Sequence, residues 1–170
     1  RDRETLIKRT MQYLFDRIAN KDLNRYDSYI LVSKYLSDLI PNSVNNFLLI
    51  EDMIANKNNP LSTKVKNKKT FEIVYGGALC ERFGINKLVN AIRITKNPNI
   101  RMLFYGSGES VNFIKDNSIF DSRIQYCGIV PFEEMINIQA NADLLINPRP
   151  TEEAFSKYSF PSKTLSYIMS

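Results

Sequence analysis

Apolar positions change their period along the chain. Leu6, Ile7, Met11, Leu14, Phe15 and Ile18 recur at intervals of three, four and seven, which predicts an amphipathic helix over residues 1–20. Tyr29-Ile30-Leu31-Val32 and Phe47-Leu48-Leu49-Ile50 are short continuous apolar runs, the pattern of buried strands. Between them Ser33 can N-cap a helix carrying Tyr35, Leu36 and Ile40, which Pro41 ends. Residues 53–70 lose all periodicity. Asn56, Asn58, Asn59, Pro60, Ser62 and five lysines there read as a linker.

From Phe71 onward strand and helix patterns alternate. Ile73-Val74-Tyr75 runs into Gly76-Gly77, and Ile85, Leu88, Val89 and Ile92 mark the next helix face. Met102-Leu103-Phe104-Tyr105 ends in Gly106-Ser107-Gly108, with a helix starting near Glu109 and carrying Val111, Ile114 and Lys115. Ile124-Gln125-Tyr126-Cys127 ends at Gly128, and Phe132, Met135, Ile136 and Gln139 form the following stripe. Leu144-Leu145-Ile146 ends in Asn147-Pro148, and the last helix opens at Pro161. Continuous apolar strands alternating with helices predict an α/β fold, a parallel sheet with helices on both faces. Ligands of such sheets bind beyond the carboxyl ends of the strands. Three of those ends carry glycines, which let a ligand approach the backbone; simple strand-to-helix turns would use them too.

Composition narrows the chemistry. The 170 residues contain no histidine, which excludes histidine-based triads, His general bases and His-ligated zinc. The two cysteines, Cys80 and Cys127, show no CxxC spacing and read as reduced core residues of a cytoplasmic protein. No apolar run approaches the ~18 residues of a membrane span, and no signal-peptide pattern opens the chain. Position 1 is Arg, as expected of a piece of something longer.

What remains points to phosphate. Gly106-Ser107-Gly108 offers unhindered backbone N–H groups. Arg82, Arg149 and Lys163 lie beside strand ends or helix starts, where arginine grips phosphate with two parallel bonds and lysine acts as a point charge. Ser159-Phe160-Pro161 opens the last helix, whose free amides suit a diphosphate. Each cation could equally be a solvated surface charge. The first strand end reads Gly76-Gly77-Ala78-Leu79-Cys80-Glu81, not the GxGxxG of dinucleotide binding. Glu152 and Glu153 sit in a polar loop, suited to a catalytic or sugar-binding role or simply to solvent.

These pieces come in the order of a known family. Residues 71–170 resemble the C-terminal, donor-binding domain of GT-B glycosyltransferases of the group 1, or family 4, type. Ile73–Gly77 resembles the first strand and glycine loop, and Arg82-Phe83-Gly84-Ile85 the "K-G-hydrophobic" element. Leu103–Glu109 resembles the strand with GxGE, and Ile124–Val130 the "i-x-y-x-G-x-v" strand before an acidic helix with Glu133 and Glu134. Ala142–Pro148 resembles "A-D-hydrophobic-x-P". Tyr158–Lys163 resembles the "FPSK" variant of bacterial capsule and exopolysaccharide transferases. Residues 1–52 resemble the end of the N-terminal, acceptor-side domain, through Asp27–Ser33 and Phe47–Ile50, with 53–70 as the interdomain linker.

The resemblance implies a Rossmann-like half of a GT-B fold and a retaining sugar transfer from a nucleotide-diphospho sugar to a glycan or lipid-linked acceptor. It implies no cofactor and no metal. Gly76, Gly77, Arg82, Gly106, Ser107, Gly108, Arg149, Ser159, Phe160 and Lys163 would then hold the donor diphosphate and sugar, and Gly128, Val130 and Ser166 the base and ribose. No catalytic residue is assigned. The chain departs from the pattern at three places. Ala78 stands where many members have arginine, and Arg82 replaces the family lysine. Tyr158 and Ser166 occupy the positions of the E-x7-E glutamates, the second of which holds the ribose. Ser166 offers one hydroxyl contact instead of a carboxylate grip. Loss of both glutamates also fits a non-catalytic partner subunit. The family continues past Ser170 with a glycine and another strand.

The formal net charge of +5 suggests nucleic acid, yet no basic helix or aromatic–basic strand face accompanies it. Residues 71–170 hold ten Lys+Arg and ten Asp+Glu, while 1–70 hold thirteen against eight. Lys57, Lys64, Lys66, Lys68 and Lys69 supply the excess, and no acid lies between Met53 and Thr70. The basic character belongs to the linker. At most it would favour peripheral association with anionic lipid at the inner face of the membrane.

Overall fold

The computed structural model describes residues 21–23, 25–40, 46–51, 69–150, 158 and 162–170. The helix expected over 1–20, most of the 53–70 linker, Pro161 and the acidic pair Glu152–Glu153 lie outside them. The chain divides into two compact units, one of Arg1–Met53 with Lys157–Phe160, the other of Ile54–Ser156 with Pro161–Ser170.

In the first unit β1 (Tyr29–Leu31) pairs in parallel with β2 (Phe47–Leu49), Tyr29 opposite Phe47 and Leu31 opposite Leu49. These strands were expected to be buried. Leu31 is, but Ile30 is 70% exposed and Leu48 58%. A two-stranded sheet leaves both of its edges and much of its faces to solvent. The helix expected after Ser33 is a 3-10 helix, Lys34–Leu39, and Ser33 makes no side-chain capping bond. The Ser37 hydroxyl donates to the Lys34 carbonyl at 2.7 Å and so competes for an acceptor that an α-helix would use.

The second unit is an α/β fold around a four-stranded parallel sheet. Its strands are β3 (Phe71–Gly76), β4 (Ile100–Tyr105), β5 (Ile124–Gly128) and β6 (Leu144–Leu145), in the spatial order β5-β4-β3-β6. Among the described residues four helices follow the strands: α1 (Ile85–Ile94), α2 (Val111–Phe120), α3 (Phe132–Asn141) and α4 (Ser162–Met169). One sheet face presents Ile73, Tyr75, Met102, Phe104 and Ile124. Ile85, Leu88, Val89 and Ile92 of α1 and Ile114 of α2 close over them, and this is the core. The alternation of β4, with Ile100, Met102 and Phe104 buried and Arg101 exposed, assigns its two faces.

The chain steps outward from β3 to β4 to β5 and then returns to β6, on the far side of β3. This is the strand order of the first half of a Rossmann sheet. With right-handed crossovers the reversal carries α3 to the face opposite α1 and α2. There Met135 of α3 lies against Gly76, its Sδ 2.8 Å from where a Cβ would stand.

Two boundaries move. The helix expected near Glu109 begins at Val111, after Ser110 donates its backbone N–H to the Leu79 carbonyl. β6 is two residues long, though the Ile146 N–H still reaches Val74 O at 3.2 Å. Cys80 and Cys127 are free as expected, but half-buried, not core residues. No helix among the described residues is long and apolar enough to cross a membrane.

Candidate functional site

A reversal of strand order opens a crevice, because the loops leaving β3 and β6 diverge to opposite faces. A cleft of about 370 Å³ lies there. Gly76, Gly77, Gly106, Val130, Lys163 and Ser166 line it, together with Tyr105, Ile129, Phe132, Met135, Ile136 and Gln139. Six residues expected to touch a ligand thus meet in one place, from four separate loops and helices.

Lys163 is its charged centre. The aliphatic stem crosses Gly77: a Cβ there would collide with the lysine side chain, with Nζ 2.8 Å away. Gly77 also has φ 140°, a conformation that side chains disfavour, so both geometry and space require glycine. The ammonium donates to the Tyr75 hydroxyl at 2.8 Å, and Tyr75 in turn donates to the Ala78 carbonyl at 2.8 Å. It also lies 4.8 Å from the Tyr75 ring centroid and 5.2 Å from that of Phe83. Burial lowers the Lys163 pKa and the positive charge of Arg149 lowers it further, while Cys80 opposes them weakly. Burial, then Tyr167 and Cys80, raise that of Tyr75, which therefore stays a neutral hydroxyl. No carboxylate among the described residues pairs with Lys163. A desolvated ammonium with a second cation nearby is a site that gains from an anion.

The two arginines approach this centre from outside the cleft. Arg82 stacks on the Phe83 ring at 4.9 Å, so one ring carries both Arg82 and Lys163. Arg149 follows Pro148, whose carbonyl occupies the space a Cβ of Gly84 would fill. Gly84, with φ 84°, thereby brings the loop after β6 against the short 3-10 turn Glu81–Phe83.

The second glycine loop has a different use from the one expected. The Gly106 N–H donates to the Gly128 carbonyl at 2.7 Å and is not free for phosphate. A Cβ on Gly106 would strike the Gly77 carbonyl, and one on Gly108 the Leu79 carbonyl. Ser107 accepts the Leu79 N–H at 2.8 Å. These glycines let two loops pack backbone to backbone. Ser107, Gly108 and Gly128 do not line the cleft, although the Gly128 backbone sets the course of the chain towards Ile129 and Val130. Ser159 and Phe160 lie outside the described residues.

Ser166 half-buries its side chain on α4 and donates its hydroxyl to the Lys163 carbonyl at 2.8 Å. Tyr167 ties the same helix to the sheet through a 3.0 Å bond to Ile146 O, and burial pushes its pKa up to about 12. Tyr105, at the cleft wall, is pushed up to about 12 by burial, with smaller contributions from Cys127, Glu72 and Glu134. Three contributors escaped the sequence reading as site residues. Tyr75 and Phe83 look like core and turn aromatics. Gln139 had a visible signal: it is the polar member of the stripe Phe132, Met135, Ile136, Gln139, and it is 5% exposed. A larger hollow of about 530 Å³ along β1 and β2 has no charged lining residue among the described residues. No group of three or more His, Cys, Asp or Glu residues among the described residues could hold a metal ion.

No family model matches the chain, and comparison with curated proteins finds no match.

Proposed function

We propose that the second unit binds the nucleotide-diphospho sugar of a retaining GT-B glycosyltransferase of the group 1 type. The observation that carries this reading is Lys163: a desolvated ammonium, fixed by Tyr75 across Gly77, in a cleft at the point where the strand order reverses. In the reaction the bond from the anomeric carbon to the diphosphate oxygen breaks, and negative charge collects on the departing diphosphate. Lys163 is placed to neutralise it, with Arg82 and Arg149 adding positive potential around the cleft. Cations fixed beforehand stabilise such charge without reorganising during the reaction. Val130 and the apolar wall of α3 would face the base, and Ser166 the ribose. The acceptor would be a glycan or lipid-linked glycan of bacterial surface polysaccharide, elongated on the cytoplasmic side of the membrane.

One feature favours a second reading. Ser166 stands where the family has the ribose-holding glutamate, as expected of a subunit that binds a nucleotide without transferring sugar. Titration of the chain with nucleoside diphosphates, followed by amide NMR, tests the common part of both readings. Shifts at Gly76, Gly77, Val130 and Ser166 are expected, and Lys163→Met should abolish them. Their absence with every nucleoside diphosphate overturns the assignment. Transfer or hydrolysis of a nucleotide sugar by the full-length protein separates enzyme from partner subunit.

A further inference from the structure

The cleft lies at the carboxyl ends of the strands. The amino ends of the same sheet carry a different surface. Ile94 closes α1, and Ile119 and Phe120 close α2. They are 81%, 78% and 86% exposed, more than any other large hydrophobic residue among those described. Phe71 opens β3 on the face of Ile73 and Tyr75, and it too is exposed. Residues 95–99 hold these positions together. The Asn99 carbonyl accepts the Phe71 N–H at 2.7 Å, and Arg123, three residues past Phe120, donates to the carbonyls of Ile92 and Asn97. Single exposed hydrophobic residues are ordinary, but four at one end of a sheet mark a contact surface.

The charges around them are mostly positive. Arg93 and Lys96 flank Ile94, and Lys69 lies two residues before Phe71, all three exposed. Asp121 is held by Arg123 at 2.7 Å, and Arg93 also acts on it. Glu72, on the opposite face of β3, stands across from Arg101, and Asp143 accepts the Glu72 N–H. Asp116, one turn before Phe120, remains against three cations. The helix ends add little negative charge, because Arg123 takes up carbonyls at the end of α1 and the Asp121 N–H takes that of Asn117.

We propose that this face docks on the surface of an anionic lipid bilayer. Ile94, Ile119 and Phe120 enter the boundary between headgroups and acyl chains, and Lys69, Arg93 and Lys96 pair with lipid phosphates. Binding of this kind draws on apolar area and on attraction to anionic lipid together. A fluid interface closes around separate protruding side chains, whereas a protein partner must match a continuous surface. A second copy of the chain would set these cations against each other. In sequence Lys64, Lys66 and Lys68 lead into Lys69 with no acid among them, which adds to the attraction. The cleft, at the other end of the strands, stays clear of the lipid, so the proposal does not depend on the nucleotide reading.

Pelleting of the chain with vesicles of equimolar phosphatidylglycerol and phosphatidylcholine, beside vesicles of phosphatidylcholine alone, tests this. Binding to the anionic vesicles is expected, weakened by salt and at least about tenfold tighter than to phosphatidylcholine. The triple variant Ile94→Gln, Ile119→Gln, Phe120→Gln should bind anionic vesicles at least about tenfold more weakly. Its melting temperature should match the wild type, since all three side chains stand in water. The chain has no tryptophan, so Phe120→Trp adds a single reporter. Its emission should shift to the blue on anionic vesicles, while that of Ile129→Trp, at the cleft end, should not. Absence of binding, binding undiminished in the triple variant, or equal shifts at both reporters overturns the proposal. So does a dimer formed without lipid that the triple variant dissociates, which would give the face to a second copy. The two reporters are read without the triple variant, so its failure to fold would still leave the proposal open to refutation.

Discussion

Burial and the nearby Arg149 charge disfavour the Lys163 ammonium, and a diphosphate would reverse that preference. Burial and the Arg149 charge lower its pKa below the usual 10.5, so the unliganded protein releases this proton earlier than an exposed lysine would. A bound diphosphate favours the ammonium and raises the pKa again. Affinity for a nucleoside diphosphate should therefore be level near neutrality and fall as pH rises through the lowered value, before 10.5 is reached. Titrations across that range should show the fall in the wild type and not in Lys163→Met, whose affinity is low throughout. A wild-type profile that stays flat up to pH 10.5 would remove Lys163 from the site. Stability of the unliganded fold has the opposite slope. The unfolded chain holds the proton to higher pH than the folded one, so stability rises with pH between the lowered value and 10.5.

At the scale of elements, the two glycine loops look alike in sequence and differ in what they touch. Gly77 faces the flexible side chain of Lys163, whereas Gly106 faces the backbone carbonyl of Gly77. Gly77→Ala carries the same backbone strain, at φ 140°, but meets only a flexible side chain, so it should cost less stability than Gly106→Ala and displace the ammonium. Ligand affinity should fall roughly ten- to a hundredfold, as expected when a hydrogen bond to a charged group worth about 1.5–3 kcal/mol is lost. Gly106→Ala forces a residue into a disfavoured conformation at φ 129° and against backbone. It should cost at least about 2 kcal/mol of stability. Chemical denaturation of both variants beside ligand titration checks the contrast, and equal loss of stability in the two would contradict it. Sequence could not make this distinction. It marked both loops as sites of close backbone approach but not what approaches. Similarly, Arg123 reads as one more surface cation. In the fold its guanidinium bonds Asp121, and its NH2 reaches the carbonyl of Ile92 at 2.9 Å and its NH1 that of Asn97 at 3.0 Å, capping the end of α1 from the turn before β5.

At the scale of the whole molecule, the alternation of strand and helix patterns from Phe71 made the α/β class and the parallel strands legible, and its strand-end glycines marked Gly76, Gly77 and Gly106 of the cleft. Each of those strands reads as a continuous apolar run because helices cover the sheet. The same rule failed for β1 and β2, where Phe47-Leu48-Leu49 has the same apolar character and is 40–58% exposed. An apolar run shows what a strand could bury. Whether it does so depends on how many neighbours it finds, which is not local information. The two units should therefore differ in hydrogen exchange. β3 has partners on both sides, β4 and β6, and β4 lies between β3 and β5. Tyr75, Met102 and Phe104 on these strands are completely buried. Among the described residues β1 and β2 have only each other. Opening the central strands requires disrupting the core, while β1 and β2 can separate without it. The amides of Val74, Tyr75, Met102 and Phe104 should be the slowest to exchange and should approach the global unfolding free energy. Those of Ile30 and Leu48 should exchange orders of magnitude faster, and a nucleoside diphosphate should slow Gly76 and Gly77 without changing Ile30 or Leu48. Equal protection of the two sheets in the free chain would show that β1 and β2 bury their apolar faces after all.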